Sequence, residues 1–511
     1  MRIKGPGAEL VRLAEMRRLE LFAAAIFSFA LLANAHVSFG ASGDDNFGIA
    51  KKQKLGSGQS SSAQEKTFGG LSDLILIAGG DLGGTIYHVL ESALFVASTS
   101  EVHIYLPHLG QFKKLDVALR ESREVATATR LPNGKILIAG GCRCENGTFG
   151  PRCEALDTAE LYDPAANTFS IAGSGSGFKM TSRRAGHTAT LIRGCNCPLD
   201  GKVLLAGGIN GRVSTGVNGI ISRTATDTAE LYDPVTDSFI PLKARMANRR
   251  VHHVAAPLAD GRVLIAGGDD TGFFEHALRT AELFDPRSGS FQSVGSMATP
   301  RELAQATFLD PKVVQGPLAG EVLISGGLVA KAHLKGASDA TAELFDPNSL
   351  TFHEVTSRMS SPRAGHSAVL AFDGPLKGRV LIAGGVAATG EGTVLTTRQI
   401  SQKTADLYDP SAGPVGAFRP TGSLHEGRGG HLAAFVFDGP HGGKILVAGG
   451  ENCNGSAPSA CYVVGSEADR KAGNPGISVE MYNPLTESWT PLLVSSVAAV
   501  NAPAGQGSGS P

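Results

Sequence analysis

Seven short apolar runs, each closed by a glycine doublet, punctuate the chain: LILIAGG ending at Gly80, KILIAGG at Gly141, KVLLAGG at Gly208, RVLIAGG at Gly268, EVLISGG at Gly327, RVLIAGG at Gly385 and KILVAGG at Gly450. Four or five consecutive apolar residues bounded by glycine predict a strand buried on both faces. The doublets lie 61, 67, 60, 59, 58 and 65 residues apart (141 − 80, 208 − 141 and so on). That period suits one small antiparallel sheet per repeat.

Further landmarks follow each run in fixed order. A second strand ends in an Asx-Pro pair: TAELYDP at 158–164 and 228–234, TAELFDP at 280–286 and 341–347, TADLYDP at 404–410 and SVEMYNP at 478–484. Proline cannot donate to a ladder and the Asx side chain can close the turn, so the strand must stop there. Seven residues past its aromatic comes another, as in Tyr162 and Phe169, Tyr232 and Phe239, Phe284 and Phe291, Phe345 and Phe352, and Tyr482 and Trp489; in the sixth unit the gap widens to Tyr408 and Phe418. An alternating strand such as HTATLI at 187–192 then returns through LPNGK, PLDGK or LADGR to the next doublet, and Asn-Gly and Asp-Gly favour the positive φ of tight hairpins. Each unit therefore reads as a four-stranded antiparallel meander. One such sheet cannot cover both of its faces, whereas radial stacking covers every sheet with its neighbours. The expected fold is all-β, a seven-bladed propeller of four-stranded antiparallel blades, with the doublets leaving room for the packed aromatics.

This order of elements, with arginine and histidine before the inner strand and AGG and TAELYDP after it, resembles the Kelch repeat and looks like bacterial exported Kelch proteins. The resemblance spans 71–511 and implies a Kelch-type β-propeller; it says little about chemistry, because one fold hosts many functions.

The first unit departs from the pattern. SALFVAS at 92–98 lacks the Asp-Pro turn, and the segment before the first doublet, SSAQEKTFGG at 61–70, is polar. The apolar segment LLVSSVAAV at 492–500 is expected to supply the missing inner strand and close the ring.

At the N-terminus, Arg2, Lys4, Arg12, Arg17 and Arg18 precede LFAAAIFSFALLANA at 21–35, which ends in a small-x-small site; Met16 offers an alternative start. This is the pattern of a signal peptide at 1–35, its apolar run short of the roughly 20 residues of a spanning helix. A flexible linker at 36–70, rich in Gly and Ser, follows. The expected location is secreted, periplasmic or cell envelope, with no stable membrane span after cleavage. Seven cysteines fit export. Cys453 and Cys461 are the expected disulfide, worth about 2 to 3 kcal/mol by loop closure. The pairing of Cys142, Cys144, Cys153, Cys195 and Cys197 stays open, a zinc site from Cys142, Cys144 and Cys153 is a further option, and the odd count leaves at least one thiol.

With 46 basic against 47 acidic side chains the net charge is −1, which excludes a general nucleic-acid binder. No catalytic residue, cofactor or metal is assigned. Among seven-bladed Kelch-like enzymes, copper oxidases resembling galactose oxidase use two tyrosines and two histidines; here valine stands before His252 and His253, and Tyr162, Tyr232, Tyr408 and Tyr482 hold the repeating packing position. His187, His253, His366 and His431 recur at one place in the repeat and are expected to make structural hydrogen bonds. The candidate ligand-binding residues stand three places earlier: Arg123, Arg184, Arg250, Arg301, Arg363 and Arg428. Guanidinium groups there could ring the channel mouth on the face with the longest loops (209–227, 386–403 and 451–477) and take up carboxylate. The Kelch resemblance points the same way, since Kelch domains that capture acidic peptides use arginines near inner-strand starts. The alternative is internal pairing with Glu160, Glu230, Glu282, Glu343, Asp406 and Glu480, which recur in the second strand of these units. The expectation is an exported binding module for a protein or glycan partner, an anionic one included; the alternative is a carbohydrate-active Kelch enzyme, a sugar mutarotase or galactose-oxidase-like.

Overall fold

The computed structural model describes residues 75–78, 100, 102–106, 109–147, 150–214, 222–271, 276–331, 334–388, 399–437, 439–455, 461–463 and 479–492. The expected signal peptide, the linker and most of the proposed closing segment lie outside them.

Six four-stranded antiparallel sheets follow one another, each a meander. From the channel outward, the first runs Thr127–Arg130, Ile136–Ala139, Ala159–Asp163 and Thr168–Ile171, and the last Leu432–Phe435, Ile445–Ala448, Val479–Asn483 and Ser488–Pro491. Inner strands of successive blades are spatial neighbours, which makes the array radial. The local signals act as expected. Asp163, Asp233, Asp285, Asp346, Asp409 and Asn483 each accept, on a side-chain oxygen, the backbone N–H two residues on. The repeated aromatics are direct cross-strand partners with ring centres 4.9 to 5.2 Å apart, from Tyr162 and Phe169 to Tyr482 and Trp489.

The expected count of seven blades is corrected: six are complete. The first unit forms a sheet of three strands, Ile75–Ala78, Val102–Leu106 and Gln111–Lys114, and no inner strand pairs with it among the described residues. This sheet occupies the gap between the last and first complete blades. Tyr105 packs with Leu432, Ala434 and Leu446 of the last blade, and its hydroxyl lies 2.6 Å from His441 Nδ1. Val102, Ile104 and Leu106 pack with Ala128, Ile136 and Ile138 of the first.

The glycine doublets have a different cause from the one expected. Both glycines adopt positive φ, for example 66° at Gly207 and 97° at Gly208. A Cβ on Gly207 would lie 2.5 Å from the Arg250 carbonyl oxygen and 2.7 Å from the His253 ring, and one on Gly208 would lie 2.8 Å from His187 Cβ. What the missing side chains admit is the inner-strand start, of the next blade at the first glycine and of the same blade at the second, not the aromatics. The second glycine N–H also donates to the following blade's arginine carbonyl, as in Gly208 to Arg250 (2.8 Å) and Gly385 to Arg428 (2.7 Å). The doublet is a joint between blades.

The segments after the doublets are not plain loops. Those after Gly141, Gly208, Gly385 and Gly450 fold as hairpins that pair across blades, and the one after Gly327 as a hairpin of its own. Cys142–Gly147, Gly150–Ala155, Ile209–Ser214 and Ser222–Ala225 form one four-stranded sheet, with Gly150–Ala155 against Ile209–Ser214. Val386–Ala388, Gln399–Ser401, Glu451–Gly455 and Cys461–Val463 form another, with Gln399–Ser401 against Glu451–Gly455.

Candidate binding face and channel mouth

All six candidate arginines lie at inner-strand starts on the hairpin face, as expected, but they do not present their charge to solvent. Each is at most 1% exposed. Arg363 is representative: its guanidinium donates to the carbonyls of Gly384 (2.7 Å) and Thr404 (2.9 Å), to Thr404 Oγ1 (2.9 Å) and to Asp406 Oδ2 (2.8 Å). Arg123, Arg184, Arg250, Arg301 and Arg428 pair likewise with Glu160, Glu230, Glu282, Glu343 and Glu480 at 2.7 to 3.0 Å. The carboxylates are satisfied from a second side by backbone N–H groups of the segment entering the inner strand, such as Ala298 to Glu343 (2.7 Å) and Ser360 to Asp406 (2.9 Å). The expected arginine ring is thus an internal strut that ties inner, second and third strands of one blade together, and the donors wanted for an external anion are already engaged.

The recurrent histidines link blades, in agreement with the structural expectation. The Nε2 atoms of His187, His253, His366 and His431 lie 2.9 to 3.1 Å from hydroxyls of Thr127, Thr188, Ser325 and Ser367 in the preceding blade. Burial, reinforced by Arg184 and Arg428 respectively, pushes the His187 and His431 rings down to about 3, so they stay neutral.

Two residues after each arginine the backbone turns to positive φ in every complete blade: Val125, Gly186, His252, Leu303, Gly365 and Gly430, at 52° to 63°. There the N–H of one blade donates to the carbonyl of the one before, from Gly430 to Gly365, Leu303, His252, Gly186 and Val125, at 2.8 to 3.4 Å. A circumferential chain of hydrogen bonds thus joins all six blades. Val125, His252 and Leu303 take a conformation that glycine adopts without strain.

Buried acids collect around this ring. Glu302 is 2% exposed, and burial, then the Asp269 carboxylate, pushes its carboxyl well above the ordinary range. His252 Nδ1 lies 3.8 Å from Glu302 Oε2. Asp269, fully buried, accepts from Thr271 and from the His276 N–H. Sequence reasoning missed Glu302 and Asp269, although the Arg-Glu dipeptides at 123–124 and 301–302 break the Arg-Ala-Gly-His wording found at 184–187 and 363–366.

Cys144 is disulfide-bonded to Cys153 and Cys195 to Cys197. Cys453 is disulfide-bonded and stands directly across a strand pair from Cys461. Cys142 keeps a free, buried thiol.

No family model matches the sequence, and no curated protein matches it. Among solved structures the fold is similar to a fungal alcohol oxidase of the AA5 family in complex with copper, at 17% identity and a TM-score of 0.50 over 76% of this chain and 70% of that one. It also matches the structure of YjhT at 15% identity and a TM-score of 0.45, over 72% of this chain and 96% of that one. The repeat tyrosines and histidines do not build a tyrosine–histidine copper centre, and the one Tyr–His pair among the described residues, Tyr105 with His441, lies between the three-stranded sheet and the last blade. The hydroxyls of Tyr162, Tyr232, Tyr408 and Tyr482 bond to Asn167, Asp237, the Val415 carbonyl and Thr421 around the Asx-Pro turns, and four histidines are tied to hydroxyls between blades. At these identities the likeness is one of fold, an all-β propeller with four-stranded antiparallel blades.

Proposed function

We propose that this chain is an exported Kelch-type binding module that takes a protein or glycan partner on its hairpin face. The observation that carries this reading is the pairing of hairpins across blades into two four-stranded sheets, one of them holding the Cys144–Cys153 disulfide. A backbone organised before the partner arrives has less conformational freedom to lose on binding. Export rests on the N-terminal pattern and on the disulfides, which persist in oxidising compartments.

Screening the purified chain against glycan and acidic-peptide arrays tests the proposal. Replacing the connections 215–221 and 389–398 by short Gly-Ser turns should abolish binding and leave the melting temperature unchanged. Binding that survives both replacements would move the site elsewhere.

The buried Glu302 carboxyl, its pKa pushed up by burial and then by Asp269, lies beside His252 and favours a second reading, a carbohydrate-active enzyme, because acids with strongly perturbed titration cluster at catalytic sites. Turnover of a sugar that Glu302→Gln abolishes would select it.

A further inference from the structure

We propose that Cys142, Cys144, Cys153 and Glu124 form a redox-gated site for a thiophilic d10 cation, with Zn2+ as the reference ligand. The hairpin of Cys142–Gly147 and Gly150–Ala155 puts the three cysteines together: Cys144 faces Cys153 across the pair, and Cys142 precedes Cys144 by two residues, hence on the same side of its strand. Glu124 arrives from the inner-strand start, where its backbone bridges Cys142. The Cys142 and Cys144 sulfurs and a Glu124 carboxylate oxygen all lie within 4.8 Å of one another, and all three residues are at most 4% exposed. Three sulfurs and one oxygen make a tetrahedral donor set of the kind zinc takes, at about 2.3 Å for sulfur and 2.0 to 2.2 Å for carboxylate oxygen.

The disulfide and the metal exclude each other, because the Cys144 and Cys153 sulfurs ligate only as thiolates. Opening requires a two-electron reductant: with a phosphine and one water, the Cys144–Cys153 bond breaks, two thiols form with the two protons of the water, and the phosphine leaves as its oxide. The cation then displaces the thiol protons of Cys142, Cys144 and Cys153 into buffer while the Glu124 carboxylate fills the fourth position. Either closure holds the hairpin on which Ile209–Ser214 of the next blade is built.

The experiment is an anaerobic Co2+ titration of the full chain, oxidised and after reduction by a phosphine, followed by Zn2+ displacement. The reduced protein should bind one Co2+ at this site with a thiolate-to-cobalt charge-transfer band that Zn2+ abolishes; the oxidised protein should show none. Cys142→Ser should weaken binding at least ~10-fold and cut the band by one thiolate in three, and Glu124→Gln should weaken it while keeping the band. Replacing both Cys195 and Cys197 by serine should change nothing, and Trp489 emission reports that each variant is folded. A reduced protein without the band, or a band and affinity untouched by Cys142→Ser, overturns the proposal.

Discussion

Replacing Arg363 by alanine gives the clearest measure of what holds a blade together. The substitution deletes hydrogen bonds to three carbonyls, one hydroxyl and one carboxylate. Thr404 O keeps the Gly384 N–H as a donor at 3.2 Å. Asp406 keeps the Ser360 N–H and hydroxyl at 2.9 Å but loses the counter-charge of the Arg363 guanidinium while remaining fully buried. Breaking a buried pair from one side costs about 3 to 5 kcal/mol, because the remaining charge is left in a poor dielectric. Removing both charges in Arg363→Met/Asp406→Leu should cost less than Arg363→Ala, since no unpaired charge is left buried, even though the Ser360 N–H and hydroxyl lose their acceptor. Urea unfolding under non-reducing conditions, followed by far-UV circular dichroism and by the single tryptophan, Trp489, measures all three proteins. Trp489 lies in the next blade, anchored by its Nε1–H to the Gly422 carbonyl at 2.7 Å, so coincident transitions also show that damage in one blade is felt in its neighbour. A loss below about 1 kcal/mol, well under the range for a broken buried pair, would refute the strut. So would sulfate that stabilises the parent and loses its effect in Arg363→Ala, since that requires guanidinium donors open to an outside anion.

Acid should unfold this protein from about pH 6.5 downward, where unfolded histidine begins to take protons while His187 and His431 in the fold stay neutral until about 3. Stability is fully present above the unfolded value and is lost as pH falls, at about 1.4 kcal/mol per unit and per histidine, or about 2 kcal/mol each by pH 5; His187→Gln should flatten the curve, and constant stability from pH 7 to 5 would refute this. Gly207→Ala should cost about 2 to 5 kcal/mol through left-handed strain and overlap with Arg250 and His253, whereas Gly134→Ala, at φ 82° with nothing within 4 Å, should cost only about 1 to 2. Ending the chain after Leu492 should lower the melting temperature if 492–500 supply the inner strand of the three-stranded sheet. An unchanged melting curve turns attention to 61–70.

The features legible in the chain were those whose cause lies within one meander. An Asx-Pro turn, an Asp-Gly hairpin and an aromatic seven residues from its partner depend on atoms a few positions apart, and each stands where its residues imply. Spacing alone likewise placed the six arginines and four histidines at inner-strand starts. Whether those groups face a ligand or the interior was not legible. It depends on carbonyls and carboxylates brought in from 17 to 52 residues away, as Arg123 meets Gly140 and Arg428 meets Glu480. The doublets show the same division: that glycine is required could be read from the repeat, but that the requirement comes from the next blade's Arg carbonyl and His ring could not. Only the assembled ring joined the hairpins into sheets across blades and gathered His252 and Asp269 of one blade with Glu302 of the next. Local sequence sets each blade because its contacts are short-range; the contents of the mouth and the binding face arise between blades, from surfaces that exist only once the blades are packed.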